Sequence, residues 1–213
     1  MITTKDQEEL LKLIADYLTS TIECLAIGGT AMMFSGYKNA TKDIDLVFKN
    51  KRDRDTFIRA IGELGYKEKA LADIYDKKRK ENTSKPLLFS RGEERFDLFT
   101  ETVFGFNVDF SPESIYQRHD FLGKKELTIL VPDKVSLILF KSITGRDTDY
   151  EDIETIVKIE KVIDWEKIIH EAIKQKKNLP WILVDLEQTL QRLREVTLIK
   201  QRYFELIYKA QKK

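Results

Sequence analysis

The segment Gly28-Gly-Thr-Ala-Met-Met-Phe-Ser-Gly-Tyr-Lys-Asn-Ala-Thr-Lys-Asp-Ile-Asp-Leu-Val-Phe48 carries the strongest indication of fold class in this chain. The apolar run before it, Glu23-Cys-Leu-Ala-Ile27, predicts a short buried strand that ends at the glycine pair. A helix can then start at Thr30, and Ile44-Asp-Leu-Val-Phe48 predicts the next strand. This order of strand, glycine turn, helix and strand is typical of an α/β protein.

Asp43 and Asp45 stand two positions apart at the start of that second strand. On a strand this spacing returns the side chain to the same face about 6–7 Å further along, whereas on a helix it rotates the side chain by about 200°. Two ionised carboxylates on one face repel each other unless a cation neutralises them, and carboxylate oxygens suit Mg²⁺. The spacing therefore predicts a site for Mg²⁺ or Mn²⁺.

The glycine pair before the helix is a second chemical signal. Without side chains, Gly28 and Gly29 let a phosphate approach the backbone, and the first N–H groups of a helix from Thr30 favour an anion. Each signal alone has a plainer explanation, because Gly-Gly often only starts a helix and Asp-x-Asp often lies on a solvated strand. Together they predict a nucleoside triphosphate bound through its phosphates, with Mg²⁺ bridging them.

The pattern Gly28-Gly-Thr-Ala31 followed by Thr41-Lys-Asp-Ile-Asp-Leu46 resembles the signature of the nucleotidyltransferase superfamily that includes DNA polymerase β. More narrowly, it resembles minimal prokaryotic members related to AbiEii/MenT-type toxins, although many members of the superfamily have Ser at the position of Thr30. The resemblance implies a mixed sheet flanked by helices, a metal on Asp43 and Asp45, and nucleotide contacts from the glycine pair, Thr30 and Thr41.

The resemblance also implies a third metal-binding carboxylate on a neighbouring strand, and Asp97 in Arg95-Phe-Asp-Leu-Phe99 occupies the matching position. Alternation along this run predicts that Asp97 faces away from the apolar side chains on either side of it. Such a carboxylate can act as a metal ligand and as a general base. Alternatively, Asp97 is exposed on an edge strand or pairs with Arg95, and Asp109 is a competing candidate for the third carboxylate.

The segment from Lys141 to Asp152 resembles a Lys-x-x-x-x-Arg-x-x-Asp-x-x-Asp segment of the same minimal family. The resemblance places Lys141, Arg146, Asp149 and Asp152 at the nucleotide, with Lys141 as a catalytic point charge on the triphosphate. The two aspartates share a helical face, on which they can orient Lys141 or Arg146. The plainer explanation is that the acidic residues only offset the dipole of the helix.

The composition of the chain limits the partners and the cellular setting that it can have. The 213 residues are 42% apolar and 34% charged, and 37 basic against 36 acidic residues leave a net charge of +1. No overall attraction to nucleic acid follows, although the basic run at residues 77–80 can lie on an RNA backbone or in a solvated loop. The single cysteine, Cys24, excludes an internal disulfide and favours a cytoplasmic setting, and no apolar run is long enough for a membrane span.

Capping, periodicity and breaker residues predict the remaining elements. They are a helix over residues 4–20 with a Thr4–Gln7 capping box, a helix over residues 51–64, a hairpin over residues 86–99, a strand over residues 126–131, a helix from Pro132 through Lys141, a helix with a Thr148–Glu151 capping box, and helices from Asp164 onward with a stripe of Leu183, Leu186, Leu190, Leu193 and Leu198. Residues 1–160 are predicted to form the nucleotidyltransferase-like domain, and residues 161–213 a helical region packed on it.

We therefore expect a Mg²⁺-dependent transfer of a nucleoside monophosphate from a nucleoside triphosphate to an acceptor hydroxyl. The resemblance allows a tRNA 3′ end, a protein side chain or a small molecule as acceptor, and it allows a toxin role with an antitoxin partner. The alternative is a non-catalytic module of the same fold that binds a nucleotide or a partner. A third class, a structural protein that binds RNA through residues 77–80, predicts steeply salt-dependent binding.

Overall fold

The computed structural model of the chain describes residues 1–69 and 85–212. Its strands are β1 (Ile2–Thr3), β2 (Ile22–Ala26), β3 (Ala40–Thr41), β4 (Asp43–Phe48), β5 (Lys67–Lys69), β6 (Leu87–Arg91), β7 (Glu94–Thr100), β8 (Thr102–Val103), β9 (Phe106–Asn107), β10 (Ile115–Leu122) and β11 (Glu126–Pro132). Its helices are α1 (Thr4–Tyr17), α2 (Gly28–Phe34), α3 (Lys51–Glu63), α4 (Lys134–Thr144), α5 (Asp147–Ile159), α6 (Trp165–Gln175), α7 (Ile182–Leu193) and α8 (Gln201–Gln211). The basic run at residues 77–80 lies outside the described residues.

A mixed sheet organises the first of two compact units, Met1–Pro132. Its strand order is β10-β11-β2-β4-β7-β6-β5, with β8 and β9 attached beside β7, and β1 pairs separately with β3. The pairs β2–β11 and β4–β7 are parallel, while the other neighbours along the path are antiparallel. The predicted α/β class and mixed sheet are confirmed.

Helices cover the apolar face of this sheet. α1 packs against β10 and β11, and α3 packs against β2, β4 and β7. The ring of Phe57 in α3 lies 5.3 Å from that of Phe48 and 5.5 Å from that of Phe96, measured between ring centroids. Because side chains alternate along a strand, the aspartates of β4 and β7 point to the opposite face.

Most predicted elements form, with corrections at their ends. The capping box of α1 consists of Thr3 and Asp6 rather than Thr4 and Gln7, since Thr3 Oγ1 accepts a hydrogen bond of 3.2 Å from the Asp6 backbone N–H. Gln7 is fully buried instead. The sequence did not predict β10, because neither face of this strand is consistently apolar. Its extended conformation depends on pairing with β11.

Helices alone form the second unit, Asp133–Lys213, among the residues that the structure describes there. Asp133 caps α4 and Asp164 caps α6, whereas the predicted Thr148–Glu151 capping box is wrong, because α5 begins at Asp147 with no side-chain cap. The leucine stripe is buried along α7, but Leu198 is 83% exposed outside any helix. The contacts between residues place α4 and α5 in this second unit. The boundary of the functional domain at residue 160 stays a prediction.

Over residues 1–69 and 85–212, the structure contains no helix with both the length and the apolar character that a membrane crossing requires.

Replacement of Thr3 by alanine should reduce the free energy of unfolding by roughly 1 kcal/mol, since it removes the side-chain acceptor for an unpaired N–H of α1. The matched control is Thr4→Ala, which should change stability little because Thr4 does not cap the helix. Thermal unfolding followed by circular dichroism compares the two variants. A larger loss in Thr4→Ala would contradict the observed cap.

Candidate active site

Three aspartates meet on one face of the sheet, because β4 and β7 run parallel in register. Asp45 lies directly opposite Asp97, and Asp43 lies opposite Arg95. Neighbouring strands are about 4.8 Å apart, and residues separated by two positions share a face, so all four side chains project to the same side. The backbone register therefore places Asp43, Asp45 and Asp97 on one face, while their convergence on a metal ion stays a prediction.

One guanidinium group connects two of these carboxylates. Arg95 Nε donates to Asp97 Oδ1 over 2.9 Å, and Nη2 lies 3.4 Å from Asp97 Oδ2 and also contacts Asp43 Oδ2. The Asp97 side chain is only 4% exposed, whereas those of Arg95 and Asp43 are each 27% exposed. A buried carboxylate requires a positive partner, and Arg95 provides it.

This arrangement resolves the alternatives for the third carboxylate. Asp97 is neither exposed nor on an edge, because β7 lies between β4 and β6. Its pairing with Arg95 is confirmed, and its role as a metal ligand stays a prediction. The competing Asp109 accepts hydrogen bonds from the Ser111 backbone N–H and from the hydroxyls of Ser111 and Ser114, at 2.6–2.8 Å. Asp109 thus stabilises a local turn.

The donor set is suitable for Mg²⁺ in chemical kind, since Asp43, Asp45 and Asp97 offer carboxylate oxygens. Within the part of the chain that the structure describes, however, no three or more His, Cys, Asp or Glu side chains are grouped closely enough to hold a metal ion. Arg95 draws Asp43 and Asp97 onto its own nitrogen atoms. A metal ion at this position would therefore compete with the guanidinium for both carboxylates.

The glycine pair packs directly against this acidic face. α2 begins at Gly28, two residues before the predicted start, and Gly28 has a φ of +56°, a left-handed conformation that favours glycine. A Cβ atom at Gly28 would overlap Asp45 Oδ2, and one at Gly29 would overlap Thr41 Oγ1. Both residues must lack a side chain because the turn approaches β4 and Thr41 so closely.

In this structure the hydroxyl of Thr30 forms hydrogen bonds with the backbone of β4. Thr30 is fully buried, and its Oγ1 accepts a hydrogen bond of 2.9 Å from the Asp45 backbone N–H. The same hydroxyl donates to the Asp43 carbonyl oxygen over 3.5 Å. Thr30 therefore holds the backbone of β4 between the two aspartates, and its contact with a phosphate stays a prediction, as does that of Thr41.

A buried ionic network joins α4 to α5 in the second unit. The Lys141 side chain is 4% exposed, and its Nζ lies 2.7 Å from Asp152 Oδ2 and 3.4 Å from Asp149 Oδ1. Asp149 also accepts hydrogen bonds of 2.7 Å from Thr144 Oγ1 and Arg146 Nε. The predicted orienting contacts of the aspartates with both cations are confirmed, whereas the contacts of these four residues with a nucleotide stay a prediction.

The environment of Asp149 shifts its titration in a definite direction. Burial by itself would raise the pKa of the Asp149 carboxyl, but hydrogen bonds from Arg146 and Thr144 and the charge of Lys141 outweigh it. The pKa therefore lies below the ordinary value of 3.8.

Two contributors to these clusters were not identified as site residues from the sequence. Arg95 entered only as a possible partner of Asp97, although an arginine two positions before a strand aspartate shares its face and is a readable signal. Thr144 gave no signal, because its hydrogen bond to Asp149 depends on how the chain turns between α4 and α5.

Cys24 and the two histidines take no part in the described site. Cys24 is fully buried in β2, and burial raises the pKa of its thiol, in agreement with a small apolar core residue. The His119 ring lies 4.5 Å from the Phe34 ring, and His170 Nδ1 lies 2.7 Å from the carbonyl oxygen of Glu166.

The chain belongs to a family of nucleotidyltransferases. The family is described as nucleotidyltransferase of unknown function (DUF6036), and the match extends over residues 5–207. This family confirms the expectation of a nucleotidyltransferase at the general level. A comparison with curated proteins gives no match.

Two solved structures from Helicobacter pylori are similar to this chain in outline. JHP933 is 13% identical with a TM-score of 0.41, and the alignment covers 99% of this chain and 92% of JHP933. A second H. pylori protein, provisionally assigned as a nucleotidyltransferase, is 12% identical with a TM-score of 0.39, over 96% and 92% of the two chains. Similarity at this level adds nothing to the family assignment.

Replacement of Gly29 by alanine should reduce the free energy of unfolding by about 1–3 kcal/mol, because the new methyl group overlaps Thr41 Oγ1. The matched control is Gly62→Ala in α3, where nothing lies within 4 Å of the new Cβ. That variant should gain up to about 0.5–1 kcal/mol, since Gly62 lies in the last turn of α3 without a positive φ, and alanine favours the helical conformation more than glycine does. Chemical denaturation of both variants would reveal opposite signs, and equal signs would contradict the close approach at Gly29.

The network around Asp149 predicts a particular acid dependence. Because the pKa of Asp149 is lower in the folded state, its contribution to stability is present above pH 3.8 and is lost as the pH falls through the folded value. The stability difference between the wild type and Asp149→Asn should therefore shrink on acidification from about pH 7 to about pH 3. Thr144→Val, which keeps the carboxyl, should retain most of the acid dependence, and a pH-independent difference for Asp149→Asn would contradict this prediction.

Proposed function

We propose that this chain transfers a nucleoside monophosphate from a nucleoside triphosphate to an acceptor hydroxyl and releases pyrophosphate. One observation carries the proposal: in a member of a nucleotidyltransferase family, Asp43, Asp45 and Asp97 project from neighbouring strands onto one face beside a glycine turn. A purely structural role would not need three carboxylates on the same face, because such charges repel each other.

In this proposal Asp43, Asp45 and Asp97 would hold Mg²⁺ or Mn²⁺ after Arg95 releases Asp43 and Asp97. The metal would neutralise charge on the triphosphate and on the leaving pyrophosphate. The acceptor oxygen forms a bond to the α-phosphorus, and the bond from that phosphorus to the bridging oxygen breaks. Asp97 takes the proton of the acceptor hydroxyl. Because Asp97 Oδ1 already accepts a hydrogen bond from Arg95, that oxygen must separate from the guanidinium before it can accept the proton.

The two cations of the second unit differ in their readiness to bind phosphate. The Arg146 side chain is 71% exposed, so part of its guanidinium can reach a ligand while Asp149 orients it. Lys141 is almost completely buried between Asp149 and Asp152. The resemblance assigns both cations to the nucleotide, and a phosphate contact by Lys141 would require its hydrogen bonds to Asp149 and Asp152 to rearrange.

The remaining nucleotide contacts come from the turn beside β4. Gly28 and Gly29 present backbone N–H groups without side chains, and Thr41 lies against Gly29. Thr30 would act indirectly by holding the backbone of β4, and it would reach a phosphate only on releasing the Asp45 N–H.

The acceptor is proposed only as a hydroxyl compound. A tRNA 3′ end, a protein side chain and a small molecule all offer this group, and an antitoxin partner would accompany a toxin role. The net charge of +1 gives no general attraction to RNA, so an RNA acceptor would require local contacts.

The proposal is tested with labelled nucleoside triphosphates, Mg²⁺ and total RNA or protein as acceptors. Asp45→Asn should reduce transfer by at least about 100-fold, because it removes a charge that holds the metal. The matched control is Asp55→Asn, which changes a half-exposed aspartate paired with Arg54 and should leave transfer unchanged. Transfer that survives in Asp45→Asn would contradict the proposal.

The second candidate is a non-catalytic module that binds a nucleotide or a partner, and the pairing of Arg95 with Asp43 and Asp97 favours it. In such a module the guanidinium permanently replaces the metal and neutralises the buried charge. The same experiment separates the two candidates. Nucleotide binding without transfer to any acceptor, and without dependence on Mg²⁺, would support the module.

A further inference from the structure

β10 forms one edge of the sheet. One side of this eight-residue strand pairs with β11, and no other strand among residues 1–69 and 85–212 pairs with its outer side. The outer backbone N–H and C=O groups of an edge strand can pair with another strand. Natural edges are commonly protected by short length, proline, bulges or several charges. β10 is long, lacks proline and carries only Arg118 and Asp120 as acidic or basic residues besides His119. The irregularity in its pairing with β11 is confined to its first residues, between Ile115 and Gln117.

The side chains of β10 alternate between two faces. On one face lie Tyr116, Arg118, Asp120 and Leu122, all of which are exposed. Near the two ends of this strand, Tyr116 is 64% exposed and Leu122 is 69% exposed. The side chains of the other face, including His119, are half-buried.

The exposed face is complementary to itself. If a second β10 runs antiparallel with the two His119 residues opposite each other, Tyr116 lies opposite Leu122 and Arg118 lies opposite Asp120. Both apolar residues then meet an apolar residue, and both charges meet the opposite charge. Because the arrangement is symmetric, each pair occurs twice, as a two-fold dimer interface requires.

Neighbouring registers lose this complementarity. A shift that places Arg118 opposite Arg118 brings two positive charges together, and it also places Tyr116 opposite Asp120. A shift in the other direction places Asp120 opposite Asp120 and Arg118 opposite Leu122. Like charges directly opposite each other destabilise a strand pair, so among these three registers charge favours the one centred on His119.

We propose that this chain forms a symmetric dimer through antiparallel pairing of β10 with β10 of a second copy, which joins the two sheets into one. Arg118 and Asp120 are 51% and 44% exposed and contact each other over 2.9 Å. Arg118 also contacts Glu23, Glu126 and Thr128, so its guanidinium must turn away from these partners to meet Asp120 of the second copy. The interface involves none of the residues assigned to the nucleotide, so this inference is independent of the proposed function.

Disulfide trapping tests the register directly. When Tyr116→Cys and Leu122→Cys variants are mixed and oxidised, covalent dimers should form, because these positions face each other within disulfide distance. Each variant alone should form few or none, since identical positions lie about 20 Å apart in this register. The native Cys24 is fully buried, so the wild type provides a low background. A mixture that traps no more dimer than the single variants would overturn the proposal.

Charge substitution at the same exposed positions provides an independent measurement by light scattering over a dilution series. Tyr116→Lys should raise the dissociation constant at least tenfold, because it places a charge opposite Leu122. Addition of Leu122→Glu should restore dimerisation, since the introduced ammonium group then meets an acidic partner, whereas a general loss of folding would not be rescued. A wild-type chain that remains monomeric up to high micromolar concentration would overturn the proposal.

Discussion

The parallel, in-register pairing of β4 with β7 is the constraint on which the candidate site depends. It places Asp45 opposite Asp97 and Asp43 opposite Arg95, so three negative charges and one positive charge share a face beside the apolar core. Burying a carboxylate without a partner is strongly unfavourable, so this register is stable only with a cation present. In this structure Arg95 is that cation, and any metal ion must take over the same electrostatic role.

The surroundings of β4 follow from the need to keep these charges in position. The turn at Gly28 and Gly29 approaches so closely that a methyl group would strike Asp45 or Thr41, and Thr30 binds the backbone on both sides of Ile44. The absence of side chains at Gly28 and Gly29 and the buried hydroxyl of Thr30 therefore have the same effect. They hold the start of α2 against the acidic strand, which leaves the aspartates little freedom to separate.

The second unit also neutralises buried charges, but it does so between two helices rather than two strands. Lys141 and Asp149 are both buried, and each is stable only because the other charges and hydroxyls of the α4–α5 turn satisfy it. The pKa of Asp149 stays low despite burial for that reason. In both units, then, an acidic residue that the resemblance assigns to the metal or to the nucleotide is already held by an arginine or a lysine of the same chain.

Much of this organisation can be predicted from the sequence, because it depends on local rules. Apolar periodicity and glycine breaks determine the strand, turn, helix and strand of residues 23–48, and alternation by itself puts Asp43 and Asp45 on one face. The tertiary structure decided what depends on neighbours distant in sequence: the role of Arg95 as the shared counter-ion, the use of the Thr30 hydroxyl by β4, and the existence of β10. Pairing between strands is non-local, so the residues of β10 carry no clear strand signal of their own, and only β11 beside them makes the extended conformation stable.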